Sequence, residues 1–184
     1  VEFAQIFSDL GREVTVLEAL PRILANLDRE FSQSLSMVMR KRGINVQTGA
    51  MVSAIAAEDG DLVCRYAVKD VPDEVRADRV LVCTGRRPAT EGVFAPGIGP
   101  ELERGYVRVN EHMETSVKGV YAVGDIVPGP ALAHGASAEA LHCVEHICGV
   151  ESDPVDYSVI PSCVFTSPEV ASVRRFISRR SVDF

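Results

Sequence analysis

The chain has 184 residues, a net charge of −7, and 46% hydrophobic and 24% charged residues. These values exclude collagen-like, disordered and disulfide-scaffold proteins, and the excess of acidic residues argues against a nucleic-acid partner. Since no apolar run approaches the roughly 18 residues that a membrane helix needs, no membrane partner is predicted either. The composition is typical of a cytoplasmic protein with one domain or parts of two.

The first eleven residues show helical spacing of apolar side chains, and Gly11 is typical of the position that ends a helix. The apolar positions are Val1, Phe3, Ile6, Phe7 and Leu10. No Ser, Thr, Asp or Asn precedes them as a capping residue. We therefore expect that residues are missing upstream.

A βαβ alternation follows this helix. A β-branched strand is predicted at 13–18, a helix at 28–42 that ends at Gly43, and a strand at 44–48. The helix carries an apolar stripe of Phe31, Leu35, Val38 and Met39. This order predicts a doubly wound α/β sheet whose first strand and glycine-rich phosphate turn would precede residue 1.

From residue 52 to residue 84 the hydrophobic period changes to two, which predicts a β-meander. Its turns are expected at Asp59–Gly60 and at Pro72–Asp73. The segment RVLVCTG at 79–85 is predicted to be a buried strand.

Residues 105–125 predict two further strands joined by a polar link. A Pro/Gly turn at 127–135 then opens an Ala-rich helix that ends at Gly149, and 151–158 is predicted to be a linker. The five cysteines include no C-x-x-C pair, and they are predicted to be buried free thiols of a reducing cytosol.

Two acidic residues that close predicted strands are candidate cofactor ligands. Glu18 could accept hydrogen bonds from an adenosine ribose, which would favour NAD over NADP, or it is a solvated strand end. Asp125 is either a turn residue bonded to its own backbone or a ligand for cofactor hydroxyls. The second interpretation of Asp125 is favoured because residues 130–134 lead into a helix whose first N–H groups are unsatisfied.

A group of potential metal ligands lies on the Ala-rich helix: His134, His142, Cys143, His146 and Cys148. His142 and His146 share a face, but Cys148 lies well around the helix, and a tetrahedral site would need further ligands. Helix packing is favoured over metal binding, and no metal is predicted.

Several segments resemble, in unbroken order, the pyridine nucleotide–disulfide oxidoreductases. ETSVKGVYAVGDIVPGPALAHGASAEA at 114–140 is similar to their second FAD-binding stretch. VCTGRRPATEG at 82–92 resembles the hinge that returns from their NAD domain, and 157–173 resembles the opening of their dimerisation domain. Residues 14–50 are most similar to members that oxidise dihydrolipoamide.

The resemblance implies an α/β architecture with a Rossmann-like NAD domain and β-meander, part of an FAD domain and the start of an α+β dimerisation domain. The corresponding ranges are 1–84, 85–150 and 151–173, with an aberrant or disordered tail at 174–184, where similarity stops at Arg174.

The resemblance also implies site residues. Glu18 would hold the NAD ribose, Val52 and Gly85 would line the NAD cleft through backbone groups, and Glu2 would sit near the nicotinamide. On the flavin side, Asp125 would bind the FAD ribitol. Ala133 and His134 would offer backbone N–H groups to the flavin pyrimidine edge, where a positive helix end stabilises charge on the reduced ring.

The implied activity is that of an FAD-dependent oxidoreductase that passes electrons from dihydrolipoamide to NAD. Its partners would be a lipoyl-bearing protein of a 2-oxoacid dehydrogenase, acetoin or glycine cleavage system, and a second subunit in a homodimer. The redox Cys pair and the His–Glu acid/base pair of the family are absent, so no catalytic residue is assigned. We expect the chain alone to be inactive. Alternatives are another flavin disulfide reductase or NADH oxidase, or a non-catalytic nucleotide-binding module.

Overall fold

The computed structural model describes residues 1–95 and 97–173. The chain divides into two compact units. Val1–Cys83 and Cys163–Ser172 form the first unit, and Thr84–Ser162 belongs to the second. The assignment of these parts to cofactor and dimerisation domains stays a prediction, because packing alone does not identify what a unit binds. The predicted aberrant tail lies outside the described residues.

The first unit begins with a βαβ arrangement. Its elements are α1 (Glu2–Asp9), β1 (Thr15–Glu18), α2 (Arg29–Lys41) and β2 (Asn45–Thr48). β1 and β2 pair in parallel, which confirms the predicted βαβ unit. Leu35 and Met39 of α2 are each 1% exposed and pack in one core with Ile44 and Val46 of the strand region. In the described part of the chain this parallel sheet has two strands, so a larger doubly wound sheet is not observed.

Glycines end both helices as predicted. Gly11 has φ +75° and Gly43 has φ +86°, the left-handed conformation that terminates helices without steric cost. The predicted apolar stripe of α2 is wrong at Phe31, which is 39% exposed. Ser32 is buried in its place, because the helix face that contacts the core is turned by one residue.

The β-meander is confirmed as an antiparallel sheet of β3 (Ala50–Glu58), β4 (Asp61–Val68) and β5 (Val71–Ala77). The Asp59–Gly60 turn is as predicted. The second turn is at Lys69–Asp70, where both residues have positive φ, and the prediction of Pro72–Asp73 is wrong. Pro72 is tolerated within β5 because β5 is an edge strand of this sheet. Proline lacks a backbone N–H, and an edge strand needs hydrogen bonds to a neighbour on one side only.

The predicted buried strand at 79–85 is also wrong. The segment pairs with no other described strand, and Leu81 and Val82 are 57% and 63% exposed. An apolar run becomes a buried strand only where neighbouring strands pair with it and other layers cover it. Among the described residues, no strand pairs with this segment, and no layer covers its apolar side chains.

The second unit contains short strands and one long helix. Its elements are β6 (Leu102–Glu103), β7 (Tyr106–Val107) and α3 (Ala133–Ile147). Of the two strands predicted at 105–125, the first is β7, whereas the second is reduced to isolated bridges such as Glu114 with Tyr121. α3 ends at Gly149 with φ +69°, as predicted.

The remaining elements are short. Residues 151–158 are irregular up to a 3₁₀ turn at Tyr157–Val159, and β8 (Ser162–Val164) and β9 (Val170–Ser172) form a two-stranded sheet. All five cysteines are free. Only Cys64 and Cys143 are buried, so the prediction of burial is wrong for the other three. No helix among the described residues is long and apolar enough to cross a membrane.

Candidate functional site

Asp125 lies in a 3₁₀ turn, Gly124–Ile126, that packs against α3. Gly124 has φ +77°, and a Cβ there would lie 3.3 Å from the Cβ of Ala136. Both facts favour glycine at this position. The Asp125 carboxylate is exposed, and its Oδ2 lies 4.0 Å from Nη1 of Arg86. The turn therefore presents a carboxylate outward beside a guanidinium.

The side chain of Glu139, on α3, is hydrogen-bonded to the backbone of this turn. Its side chain is 1% exposed, and its Oε2 accepts a hydrogen bond of 2.6 Å from the backbone N–H of Gly124. Its Oε1 accepts a hydrogen bond of 2.9 Å from the hydroxyl of Tyr157. Partial burial, together with this hydrogen bond and the nearby carboxylate charge, raises the pKa of Tyr157 to about 12.

Glu139 is not among the site residues predicted from the sequence. The signal that could have found it is an acidic residue on the inner face of an Ala-rich helix, with Gly135, His142 and Cys143 as its buried neighbours along α3. A carboxylate on such a face is expected to have hydrogen-bond donors around it.

The N-terminus of α3 leaves its first amides unpaired. Leu132 occupies the capping position without a side-chain cap, and the first helical bond runs from Ala136 N–H to Leu132 C=O. The backbone N–H groups of Ala133 and His134 have no acceptor among the residues that the structure describes. The His134 ring instead contacts the carbonyl of Pro161 through Nε2 at 2.7 Å. The structure thus brings the Asp125 turn and an uncapped helix end into one unit, in packing contact.

Glu18 closes β1 opposite Thr48 of β2. Its carboxylate is half-buried, and Oε1 accepts a hydrogen bond of 2.8 Å from the backbone N–H of Leu20. This bond orders the turn after the strand, a role that neither sequence interpretation included. No hydrogen bond from a described residue occupies Oε2, so the carboxylate keeps acceptor capacity.

Glu2 is engaged within the protein. Its Oε1 accepts a hydrogen bond of 2.7 Å from the backbone N–H of Phe165. Gln5, one turn later, accepts from the N–H of Ser167 at 2.7 Å and donates to its carbonyl at 3.3 Å. The start of α1 thereby binds the segment 165–167, and the predicted position of Glu2 near the nicotinamide stays a prediction.

Val52 and Gly85 are both exposed. Val52 lies at an irregularity in the pairing of β3 with β4, between Val52 and Ala54. Gly85 has φ +123°, a conformation that side chains rarely adopt, and a Cβ there would have nothing within 4 Å. Their backbones are accessible, and their predicted contact with NAD stays a prediction.

Two histidines of α3, His142 and His146, pack with a histidine from another part of the second unit. His112 stacks on His146, with ring centroids 4.1 Å apart, and on His142 at 5.5 Å. Both ring nitrogens of His142 are bonded, to the Ser152 hydroxyl at 2.9 Å and to the Glu111 carbonyl at 3.0 Å. Among the described residues no group of three His, Cys, Asp or Glu side chains has metal-binding geometry.

A model of the pyridine nucleotide-disulphide oxidoreductase family matches residues 1–140. The chain belongs to this family. Its members bind FAD and NAD(P). Dihydrolipoyl dehydrogenases of Chlorobaculum tepidum and Thermus scotoductus are 37% and 40% identical to it over 94% of its length. The chain spans 37% and 38% of the length of these two relatives.

Two solved structures contain a part whose fold is similar to that of the chain. LpdA from Mycobacterium tuberculosis matches 94% of the chain with a TM-score of 0.84 and 26% identity, over 37% of its own length. The HOCl-induced flavoprotein disulfide reductase RclA from Escherichia coli matches 92% of the chain with a TM-score of 0.82 and 23% identity, over 38% of its own length. The chain is thus a mixed α/β member of the pyridine nucleotide-disulphide oxidoreductase family that is similar to part of the dihydrolipoyl dehydrogenases.

Proposed function

We propose that the chain is the central part of an FAD-dependent dihydrolipoyl dehydrogenase that oxidises dihydrolipoamide with NAD as acceptor. The observation that carries this proposal is identity of 36–40% to dihydrolipoyl dehydrogenases over 94–96% of the chain. The whole protein would serve a lipoyl-bearing partner and act as a homodimer. The five free cysteines agree with the proposed cytoplasmic location.

The flavin would be held by the Asp125 turn and the start of α3. Ribitol hydroxyls need an acceptor, and the exposed Asp125 carboxylate is one; the pyrimidine edge needs donors, and the free amides of Ala133 and His134 are two. These residues fit the group. When bound, FAD supplies an electron relay between a dithiol and a nicotinamide. The positive end of α3 would stabilise negative charge near it.

The dinucleotide would be held through the first unit. One carboxylate oxygen of Glu18 accepts a hydrogen bond from the backbone N–H of Leu20, and the other has no hydrogen bond from a described residue and can accept one from a ribose hydroxyl. A carboxylate there accepts from ribose hydroxyls and repels a 2′-phosphate, so NADH should bind more tightly than NADPH. Val52 of the same unit would contribute backbone groups, and Glu2 would act near the nicotinamide.

The chain alone should lack turnover. Cys143 and Cys148 are separated by four residues, but five helical steps place them about 140° apart around α3. Cys143 is buried, and burial raises the pKa of its thiol, whereas Cys148 is exposed. A buried thiol with a raised pKa is a poor nucleophile, so these two cysteines are not a dithiol centre.

The test measures NADH and NADPH binding to the full 184-residue chain by nicotinamide fluorescence. NADH should bind more tightly, and Glu18→Gln should reduce that preference several-fold. Glu13→Gln, an exposed glutamate just before β1, is the matched control and should leave the preference unchanged. Equal binding of both dinucleotides by the unsubstituted chain would contradict the role of Glu18.

A second measurement concerns the activity of the chain. With FAD, NADH and lipoamide added, flavin absorbance should show no turnover, and lipoamide reduction by the chain would refute its assignment as an incomplete enzyme. The genomic sequence on both sides of its codons should encode a Cys-x4-Cys pair upstream and a His–Glu pair downstream. Other flanking sequences would favour a different flavin disulfide reductase or a nucleotide-binding module.

A further inference from the structure

A cleft of about 890 Å³ lies along α2 in the first unit, and no residue predicted to bind FAD or NAD lines it. Four cationic side chains line this cleft: Arg22, Arg29, Arg40 and Lys41. No Asp or Glu is among the lining residues. The chain as a whole carries a charge of −7. The lining of this cleft is therefore opposite in charge to the chain average, and it should attract anions.

The four cations are not neutralised by neighbouring carboxylates. None of them forms an ion pair with a residue in the described ranges 1–95 and 97–173. Arg42, which follows them directly on the chain, shows the contrast, because its Nη1 lies 3.5 Å from Oδ1 of Asp9. Unpaired cations around a concave surface attract anions.

Two of the guanidinium groups are held in place by the backbone. Nη2 of Arg40 donates to the carbonyl of Val46 at 3.0 Å, and Nη2 of Arg22 donates to the carbonyl of Ala25 at 2.8 Å. Nη1 of Arg22 is buried without a hydrogen-bond partner among the described residues, so its charge is uncompensated there. Cations that are already ordered lose less entropy when an anion binds.

The length of the cleft defines the shape of its ligand. Arg29 and Lys41 are the two end residues of α2, and 13 helical residues place them about 18 Å apart along the axis. Ser36 and Thr48 add hydroxyl donors to the lining. A single small anion cannot contact both ends, whereas the cleft volume is within the range of sites for nucleotide-sized ligands.

We propose that this cleft binds an elongated, phosphate-bearing small molecule with at least two separated anionic groups. Arg22 and Arg40 are the fixed cations of the site, and Arg29 and Lys41 contact its two ends. None of the residues predicted to contact the flavin or the dinucleotide lines the cleft, and its lining residue Thr48 is the strand partner of Glu18.

Inorganic tripolyphosphate is the probe, added to the full chain at constant ionic strength. Calorimetry should show saturable binding, and NMR amide shifts should be confined to 21–48. Orthophosphate should bind at least tenfold more weakly, because it offers a single phosphate group to the four cations, whereas tripolyphosphate offers three linked groups with a larger negative charge. No saturable binding of tripolyphosphate, or amide shifts centred outside 21–48, would overturn the proposal.

The variants Arg29→Gln and Lys41→Gln each remove one exposed charge without removing a hydrogen bond of the fold. Each should weaken tripolyphosphate binding roughly threefold, and the double variant about tenfold. Arg12→Gln is the matched control: Arg12 is exposed in the same unit, outside the cleft, and its loss changes the net charge equally. A response to only one end of α2, or an equal response to Arg12→Gln, overturns the proposal.

Discussion

Glu139 is the side chain that connects α3 to the turn bearing Asp125. Both of its carboxylate oxygens are used, one by the Gly124 amide and the other by the Tyr157 hydroxyl. A buried carboxylate that receives two hydrogen bonds is tolerated, whereas its removal leaves the partly buried Gly124 amide and Tyr157 hydroxyl without their acceptor. The position of Asp125 therefore depends on a residue fourteen positions away in the sequence.

We expect Glu139→Ala to lower the free energy of unfolding by about 3 kcal/mol, since both donors lose their partner. Urea unfolding followed by circular dichroism measures the change. Glu145→Ala on the same helix is the control and should change stability by no more than about 0.5 kcal/mol. Equal effects of the two substitutions would show that the Glu139 hydrogen bonds contribute nothing.

Tyr157 provides a prediction about pH. Its pKa is raised from 10 to about 12, so the folded state favours the protonated phenol. The stability that Tyr157 contributes is fully present below about pH 10 and is lost as pH rises through about 12. Ultraviolet absorbance of tyrosinate should show a late step near pH 12 that Tyr157→Phe abolishes.

Tyr66 is the control for this titration. Burial, followed by the hydrogen bond to Asp73, raises the pKa of Tyr66 as well. Tyr66→Phe should nevertheless leave the step near pH 12 in place. If that step disappears with Tyr66 rather than with Tyr157, the assignment to the Glu139 hydrogen bond is wrong.

The β-meander shows how single residues shape an element. Its second turn places Lys69 at φ +51° and Asp70 at φ +65°, a left-handed pair that matches the twist of two-residue hairpins. Neither residue is glycine, and non-glycine residues are strained by about 1–2 kcal/mol in this region. The first turn has Gly60 at φ +91°, where glycine is the favoured residue.

Asp70→Gly should therefore stabilise the chain by about 0.5–1 kcal/mol, because the relief of strain exceeds the added flexibility of the unfolded state. Gly60→Ala, the reverse change at the other turn of the same sheet, should destabilise it by about 1 kcal/mol. Thermal or urea unfolding measures both. A loss of stability in Asp70→Gly would contradict the left-handed turn.

Among the residues that the structure describes, several large apolar side chains are exposed to solvent. Leu81, Val82 and Phe165 are 57%, 63% and 73% exposed, and α3 exposes Leu141 and Val144. The chain spans about 37% of the length of the dihydrolipoyl dehydrogenases that it matches. Apolar surface of this kind is typical of an interaction site.

We expect the full chain to bind the apolar dye ANS, and Leu81→Ser with Val82→Ser should lower the dye fluorescence. The unfolding free energy should change by no more than about 0.5 kcal/mol, since both side chains already lie in solvent. Val63→Ser is the contrasting control: Val63 is 0% exposed, so its loss should cost more than about 2 kcal/mol. A large loss of stability from Leu81→Ser would show that the segment is covered.

The predictions that failed share one physical cause. The apolar pattern at 79–85 indicates a buried strand, but whether the segment is buried depends on other elements that pack against it. Pro72–Asp73 has turn chemistry, yet the register of β4 with β5 moved the turn to Lys69–Asp70. Phe31 fits a helical stripe, and the angle at which α2 meets the core exposed it.

The βαβ order, the helix ends at Gly11, Gly43 and Gly149, and the family could all be predicted from the sequence, because periodicity, glycine conformation and local motifs are properties of neighbouring residues. Three contacts became visible in the folded chain alone: Glu139 supports the Asp125 turn, Glu2 binds the Phe165 amide, and cations line one cleft along α2. These contacts join residues far apart in the chain, and their geometry follows from how the elements pack rather than from any local pattern.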